Sequence, residues 1–413
     1  MDINIEISRP MTITSKTTED TYIRMSSDLR EKHNLEIGEF VNLRGKNNNL
    51  VTLQVRQCFL VDNFVKTDTA FVSGNTSSLL ELKTTEKSIE VVNGITLGCD
   101  PEFFLINRNT GNIVRARKYL RSTKAAVGCD GDGVLAEIRP RYALDEHILT
   151  RNIYDLLRRA RSIISSKAQE PIAFIAASAI NGKIEYTSLT TAATMVKTAG
   201  FHIHFGIPAE LLGYQERKQY VRAILVKILD YYLGVPAVVA EGADYERRLP
   251  LNEYYGNPGD FKTTRMTLEY RTLGAAMLRH PILTLGLLSI GLLVMEDALS
   301  RIRISTDRFF NLKGMETEKD MRDIYPNIPS RVEIEELLCR PTIHSATNRL
   351  EHIVRDLESM VGWESRRPVI TAFLECLYDG TTFVNDIDFN WRSYYAKYER
   401  QMEIFASSFQ TGY

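Results

Sequence analysis

At 413 residues, with 44% hydrophobic and 25% charged side chains, the chain has the composition of an ordinary folded protein and is long enough for two or three compact units. Lys plus Arg total 51 against 52 Asp plus Glu, so there is no global positive field to hold a nucleic acid by counterion release. Five cysteines, an odd number without CxxC spacing, argue against a disulfide framework and a structural zinc site, and point to a reducing, cytoplasmic setting.

The opening MDINIEISRP has neither a basic nor an apolar signal region. Residues 1–88 alternate short β-branched runs (IEISRPMTI, FVNLRG, LVTLQVRQ, TAFVSG, KSIEVV) with Asn, Gly and Ser clusters, which predicts a small β-rich domain for substrate or partner recruitment. A capped helix from Ser26-Ser27-Asp28 to about Gly38, followed by a strand, is similar to an element of double-psi barrels. No Gly, Ser or Pro linker follows. ITLGCDPEFFLIN reads as a strand, a turn at Arg108–Gly111 leads into IVRARKY, and the turn GCDGDG leads into VLAEIRP. From Leu149 the apolar positions Ile153, Leu156, Leu157, Ala160, Ile163 and Ile164 take helical spacing, which leaves Arg151, Arg158, Arg159 and Arg161 on a solvated face. IAFIAAS is a strand, with an Asn181-Gly182 turn and a loop to Thr198 after it; GFHIHFGIP is a strand, AELLGYQERKQYVRAILVKILDYYLG a long helix, and FKTTRMTLEYRTLG a strand. Pro281–Met295 is the most apolar stretch, but Glu296 and Asp297 cut it short of the ~20 residues a membrane span needs, so it reads as a buried helix. The remainder is helical, with Trp363 and Trp391 in helix packing.

Four of the predicted strands carry two ionisable side chains two residues apart: Asp100 and Glu102, Glu137 and Arg139, His202 and His204, Glu269 and Arg271. Side chains at i and i+2 leave a strand on the same face, so together these pairs build one polar wall. Its carboxylates, imidazoles and guanidiniums suit divalent cations and phosphate oxygens, a metal-nucleotide site. Pro101 rigidifies its strand and marks a bulge or edge that re-aims the flanking acids. Arg265 shares a face with Glu269 as a second phosphate contact, and the glycine-rich YYGNPG near Lys262 is either a backbone approach to substrate or a plain turn. Asp130 and Asp132 lack the Glu that a calcium loop needs at position 12, so GCDGDG reads as a tight turn. Cys99 and Cys129 have no nearby base and are rejected as nucleophiles.

GCDPEFFL resembles the GxExEFFL strand of glutamine synthetases, GFHIHFG their GxHxHxS strand and RMTLEYR their RxxEFR strand; ADYERRLP is similar to the stretch supplying their carboxylate-binding arginine. Within that superfamily the pattern DPE, a DG turn into ExRP, HxH and ExR is closer to the phage-associated amidoligases of COOH-NH2 ligase type 2, over about Leu97–Leu273. The resemblance implies an α+β fold: an antiparallel or mixed curved sheet of glutamine synthetase type with helices on its outer face. The expected division is a β-rich domain at 1–88, an ATP and metal catalytic domain at 89–300 and a helical region at 301–413 packing on it.

By the same resemblance, Glu102 and Glu137 hold a metal near the substrate carboxylate, and Asp100, His202 and Glu269 a metal on the ATP phosphates. Arg271 meets the transferred phosphoryl group, Arg247 clamps the substrate acid, and His204 lies beside the nucleotide phosphates. Asp100 stands where the family has Glu, and Gly206 where it has Ser. An Asp at the position of Asp130 faces the site in the family. Arg139 either binds substrate or balances Glu137. The implied reaction is ATP-dependent amide formation through an acyl phosphate at a site of two or three Mg2+ or Mn2+ ions, between a small-molecule or peptide carboxylate and an amine. Two other classes stay open: a phosphotransferase of guanidino-kinase type, and a catalytically silent nucleotide-binding assembly protein. No membrane partner is expected, and the long helices leave a homo-oligomer open.

Overall fold

The computed structural model describes residues 2–7, 22–25, 27–33, 40–44, 50–57, 69–72, 88–92, 94–185, 194–206, 215–242, 256–263, 267–304, 322–339 and 343–397. The chain divides into two compact units, Met1–Thr96 with Ile207–Lys218, and Leu97–Gly206 with Gln219–Tyr413.

In the first unit, β1 (Asp2–Ile7), β2 (Tyr22–Met25), β3 (Phe40–Arg44), β4 (Leu50–Gln57), β5 (Thr69–Val72) and β6 (Ser88–Val92) close into a barrel of order β1-β5-β2-β4-β3-β6. The pairs β1/β5 and β2/β4 are parallel, and the others antiparallel. Ile23 and Met25, and likewise Val41 and Leu43, are buried at a spacing of two, the signature of strands with one face inward. β2 was not legible as a strand in the sequence. The predicted helix is shorter than its pattern suggested: α1 spans Ser27–Lys32, with the His33 amide bonded back to the Leu29 carbonyl at 3.2 Å.

The second unit is mixed α/β, with curled sheets and covering helices. One 4-stranded sheet has the order β16 (Phe261–Thr263), β17 (Thr267–Tyr270), β15 (Ile203–Gly206), β7 (Leu97–Cys99), all antiparallel. A 7-stranded sheet runs β10 (Val127–Cys129), β11 (Ala136–Ile138), β8 (Glu102–Asn107), β9 (Ile113–Val114), β13 (Ala179–Glu185), β14 (Thr194–Thr198), with β12 (Ile172–Ile175) also pairing β8. Asp100 and Pro101 are the step between β7 and β8, where one strand leaves the first sheet and enters the second. Backbone bonds bridge the step: Asp100 N–H donates to His202 O at 3.2 Å and Glu102 N–H to Gly200 O at 2.9 Å.

Three sequence expectations change here. Asn181 and Gly182 lie inside β13, paired with Val196 and Met195, so they are not a turn. IVRARKY forms only the two-residue β9 before a 3-10 turn at Ala116–Lys118. Helix α2 (Glu146–Ser165) buries Leu149, Ile153, Leu157, Ala160 and Ile164 as its periodicity predicts, but Arg161 is not simply solvated: its guanidinium sits 4.0 Å over the Phe174 ring and donates to Ile172 O at 2.8 Å.

The long predicted helix continues past Gly234. It comprises α3 (Gln215–Leu229), a π-helical turn at Asp230–Gly234 and α4 (Val235–Glu241). Pro236 lacks an N–H and its ring crowds the carbonyl four residues back, and the wider turn accommodates both. Helix α5 spans Pro281–Ile304, longer than the apolar run alone, because Asp297 is satisfied by Arg301 Nε at 2.6 Å and Tyr325 Oη at 2.7 Å. A 22-residue stretch of it, Pro281–Ile302, meets the length and hydropathy of a membrane span, as does Tyr220–Glu241; 89% and 78% of their most apolar windows are buried within the protein, so both serve as core helices here. Helix α5 packs on α2 and on α8 (Trp363–Tyr378), while α6 (Arg331–Cys339) and α7 (Ile343–Glu358) pack on α4. Trp363 opens α8, and Trp391, in the helical residues 387–397, donates from Nε1 to Leu278 O at 2.8 Å.

Candidate functional site

The strand registers arrange the wall in two rows. Across the 4-stranded sheet one row reads Lys262, Glu269, His204, Gly98. Across the 7-stranded sheet another reads Gly128, Glu137, Glu102. Asp100 stands at the step between them and reaches both imidazoles, His202 Nδ1 at 3.2 Å and His204 Nε2 at 3.3 Å. Spacing of two puts both histidines on the face Asp100 occupies.

Asp100, His204 and Glu269 each offer a donor atom, and these atoms all lie within 4.8 Å of one another. His204, which the resemblance set beside the nucleotide phosphates, is thus the imidazole grouped with Asp100 and Glu269, while His202, the one it gave as a metal ligand, contacts Asp100. Register sets this grouping: His204 is paired directly opposite Glu269, whereas His202 precedes β15 and turns its Nδ1 to Asp100. Burial alone would raise the Asp100 carboxyl, but hydrogen bonds and charge from the two imidazoles outweigh it and hold that carboxyl well below the usual range. Desolvation works against a charged His204, yet Asp100 and the Glu269 charge overcome it and raise the imidazole above its ordinary value. Glu269 is 3% exposed, 3.2 Å from Arg271 Nε and 3.7 Å from the exposed Lys262 Nζ.

The second row sets two carboxylates face to face. Glu102 and Glu137 are direct cross-strand partners, an arrangement that costs energy when both are charged unless a cation or a proton offsets the repulsion. Glu102 accepts the Gly200 N–H at 2.8 Å through one oxygen. Glu137 is pushed up to about 8, first by burial and then by the charges of Asp100, Glu102 and Asp130, against the opposing pull of Arg139. Arg139 contacts Glu137 directly and also donates to Ala125 O at 3.0 Å. Its guanidinium is thus committed to Glu137 and a neighbouring loop, which favours the balancing role over substrate binding. Two and four residues along the face of β8 that carries Glu102 come Phe104 and Ile106, part of an apolar cluster with Ile113, Leu135 and Ile184.

The GCDGDG turn is built from its own acids. Asp130 Oδ1 accepts the Leu135 N–H at 3.1 Å, Asp132 Oδ1 accepts the Val134 N–H at 2.9 Å, and Gly133 has φ +79°. Lys197 on β14 pairs with Asp132 and stands 4.0 Å from Asp130. Burial, then Asp132 and Glu102, raise the Asp130 carboxyl. Sequence reading missed Lys197 because its strand was taken for a loop. The Cys99 thiol is buried, and burial followed by the Asp100 charge pushes it up, away from nucleophilic use. Arg247, Arg265 and the two tyrosines of YYGNPG lie outside the described residues.

Donors of this kind fit hard divalent cations: carboxylate oxygens with one imidazole at the first cluster, two opposed carboxylates at the second.

A family model described as phage phiEco32-like COOH.NH2 ligase-type 2 matches residues 97–317. No curated protein matches the chain in sequence. Among solved structures, a rationally designed double-psi barrel-like protein, apDPBB_sym_79, is 15% identical over 22% of this chain and 98% of its own, with a TM-score of 0.18. A bifunctional glutathione synthetase from Pasteurella multocida is 9% identical over 72% of this chain, with a TM-score of 0.38; the chain spans 50% of that protein's length. At these scores neither likeness carries an argument about fold or activity.

Proposed function

The chain belongs to the phage phiEco32-like COOH.NH2 ligases of type 2, a family of amide-bond-forming ligases, and on that premise we propose that it couples a carboxylate to an amine at the expense of ATP, through an acyl phosphate. The observation that carries this reading is the pair of registered rows: Glu102 opposite Glu137, and Asp100, His204 and Glu269 converging within 4.8 Å. In this reading the catalytic unit is a glutamine synthetase-like curved sheet. The barrel, with its two parallel strand pairs, is a double-psi barrel that recruits substrate or partner, in a cytoplasmic setting.

Asp100, His204 and Glu269 would hold the Mg2+ or Mn2+ ion on the nucleotide phosphates, with His202 orienting Asp100. Glu102 and Glu137 would hold the ion on the substrate side, Glu137 being held in place by Arg139. The ions would neutralise charge on the phosphates and polarise the acceptor carboxylate. Phosphoryl transfer asks the protein for position and positive charge, and the planar fork of Arg271 beside Glu269 suits the transferred phosphoryl oxygens. Lys262, exposed at the end of the row, would neutralise the nucleotide phosphates. With the γ-phosphoryl on the carboxylate, an amine attacks the acyl carbon, phosphate leaves and the amide forms.

The test is product analysis with ATP, Mg2+ or Mn2+ and panels of carboxylates and amines. Equal ADP and phosphate with a new amide support the reading, and His204→Ala and Glu269→Ala should abolish turnover. ADP with a phosphorylated guanidine would replace the ligase by a kinase. Nucleotide binding without turnover on any panel would replace it by a silent binding protein.

A further inference from the structure

Asp230 is a buried carboxylate that the proposed chemistry does not use. It is 3% exposed and is the first residue of the π-helical turn between α3 and α4. Its Oδ1 accepts from Tyr270 Oη at 2.8 Å and Thr272 Oγ1 at 3.1 Å, and its carboxylate also takes the Gly259 N–H. Tyr270 and Thr272 alternate along the chain with Glu269 and Arg271. In an extended segment that puts Glu269 and Arg271 on one face and the two hydroxyls that meet Asp230 on the other. Gly234, the last residue of the same turn, leaves room for this: an added Cβ there would stand 3.3 Å from Tyr270 Oη and 3.0 Å from Leu338.

The loop before β16 is tied to the same point. Thr272 shares its single hydroxyl hydrogen between Asp230 and Asn257 O, which lies 3.1 Å from Oγ1; Asp260 O accepts the Arg271 N–H at 3.1 Å, and Asp260 Oδ2 accepts the Gly256 N–H at 3.1 Å. Pro258, Gly259 and Asp230 line a cavity of about 170 Å³ together with Lys227, Phe261 and Arg331. On that side the loop meets open space, so the Gly259 bond to Asp230 fixes it where dense packing does not. Arg271 is thereby bracketed, its own amide held by the loop and its neighbours on both sides held by Asp230.

We propose that Asp230 is a positioning residue for the site: acting through Tyr270, Thr272 and the 256–260 loop, it sets the pose of Glu269 and Arg271 from the opposite face of their strand. This rests on the ligase reading, under which those two side chains meet the cation and the transferred phosphoryl. The class of ligand whose binding it governs is a divalent cation with a nucleoside triphosphate. Burial raises the Asp230 carboxyl to about 7, as expected for a group placed where hydrogen bonds only partly replace water.

The test measures Mn2+ alone by electron paramagnetic resonance and Mn2+·ATP by calorimetry in folded wild type, Asp230→Ala, Asp230→Asn and the double variant Tyr270→Phe/Thr272→Val. Asn keeps an oxygen for the two hydroxyls but offers an NH2 to Gly259. The expected order is wild type, then Asp230→Asn within about fivefold, then Asp230→Ala and the double variant weaker by about 10- to 100-fold, the range for groups that orient metal ligands. Should Asp230→Ala fail to fold, the double variant, which leaves the carboxylate in place, carries the comparison. Equal affinities in wild type and in either disruptive variant overturn the proposal, as does an Asn variant that falls as far as Ala. A wild type that binds Mn2+ but not Mn2+·ATP defeats the ATP reading alone, and the order in Mn2+ affinity still decides Asp230. A wild type that binds neither overturns both.

Discussion

Replacing Glu137 by Gln should stabilise the metal-free protein at high pH and reduce the stabilisation that a bound cation adds. Glu137 rises from an ordinary 4.5 to about 8 on folding because burial and the charges of Asp100, Glu102 and Asp130 outweigh Arg139. A carboxyl raised in the folded state holds its proton more tightly there than in the unfolded chain. Its contribution is therefore complete below about pH 4.5 and is lost as pH climbs through about 8, at up to about 1.4 kcal/mol per pH unit. By pH 8 the loss reaches about 4 kcal/mol. Gln removes that dependence, and below about pH 8 it gives Arg139 a neutral partner just as the protonated Glu137 does. In EDTA, Glu137→Gln should match wild type to within about 1 kcal/mol at pH 5 and be more stable by about 4 kcal/mol at pH 8. Saturating Mn2+ should narrow that advantage at pH 8, since a ligand at a hundred times its Kd adds about 2.7 kcal/mol to the protein that binds it. Urea unfolding followed by tryptophan fluorescence is the assay, because Trp363 and Trp391 are the only 2 tryptophans and both belong to the unit that carries Glu137. Parallel pH profiles of variant and wild type in EDTA, or equal stabilisation of both by Mn2+, would refute the reasoning.

Gly286→Ala in α5 should destabilise, although alanine favours a helix interior by about 1 kcal/mol, because the new Cβ would meet Phe373 Cβ at 2.2 Å and force α8 outward at a cost of about 1–3 kcal/mol. Urea denaturation gives the sign directly. Asp145→Ala removes the cap of α2, whose carboxylate accepts the N–H groups of His147 at 2.8 Å and Ile148 at 3.0 Å, and should cost about 1 kcal/mol in the same assay.

Local chemistry was readable wherever one strand carries the whole signal. Of the pairs His202/His204 and Glu269/Arg271, His204 and Glu269 are registered partners while His202 and Arg271 flank their strands, and the Pro101 break is the step between the sheets. The stripe of α2 falls on its buried face. What failed involved partners far along the chain. Asn181-Gly182 looks like a turn by residue type, yet pairing with Val196 and Met195 makes it strand. Arg161 looks solvated by its helix position, yet Phe174 lies beneath it. That His204, not His202, stands opposite Glu269 follows from strand register, which spacing cannot express.

Periodicity of two and the residue types on it suffice to say that this chain carries a carboxylate and imidazole wall, because those properties belong to single strands; its ligase character is what the family resemblance implies. Which carboxylates face one another is another matter. That Glu137 opposes Glu102, that Glu269 sits between Lys262 and His204, and that Asp230 supports their strand from behind are consequences of cross-strand register and helix packing. Those contacts join residues up to 65 positions apart, and nothing local in the chain records them.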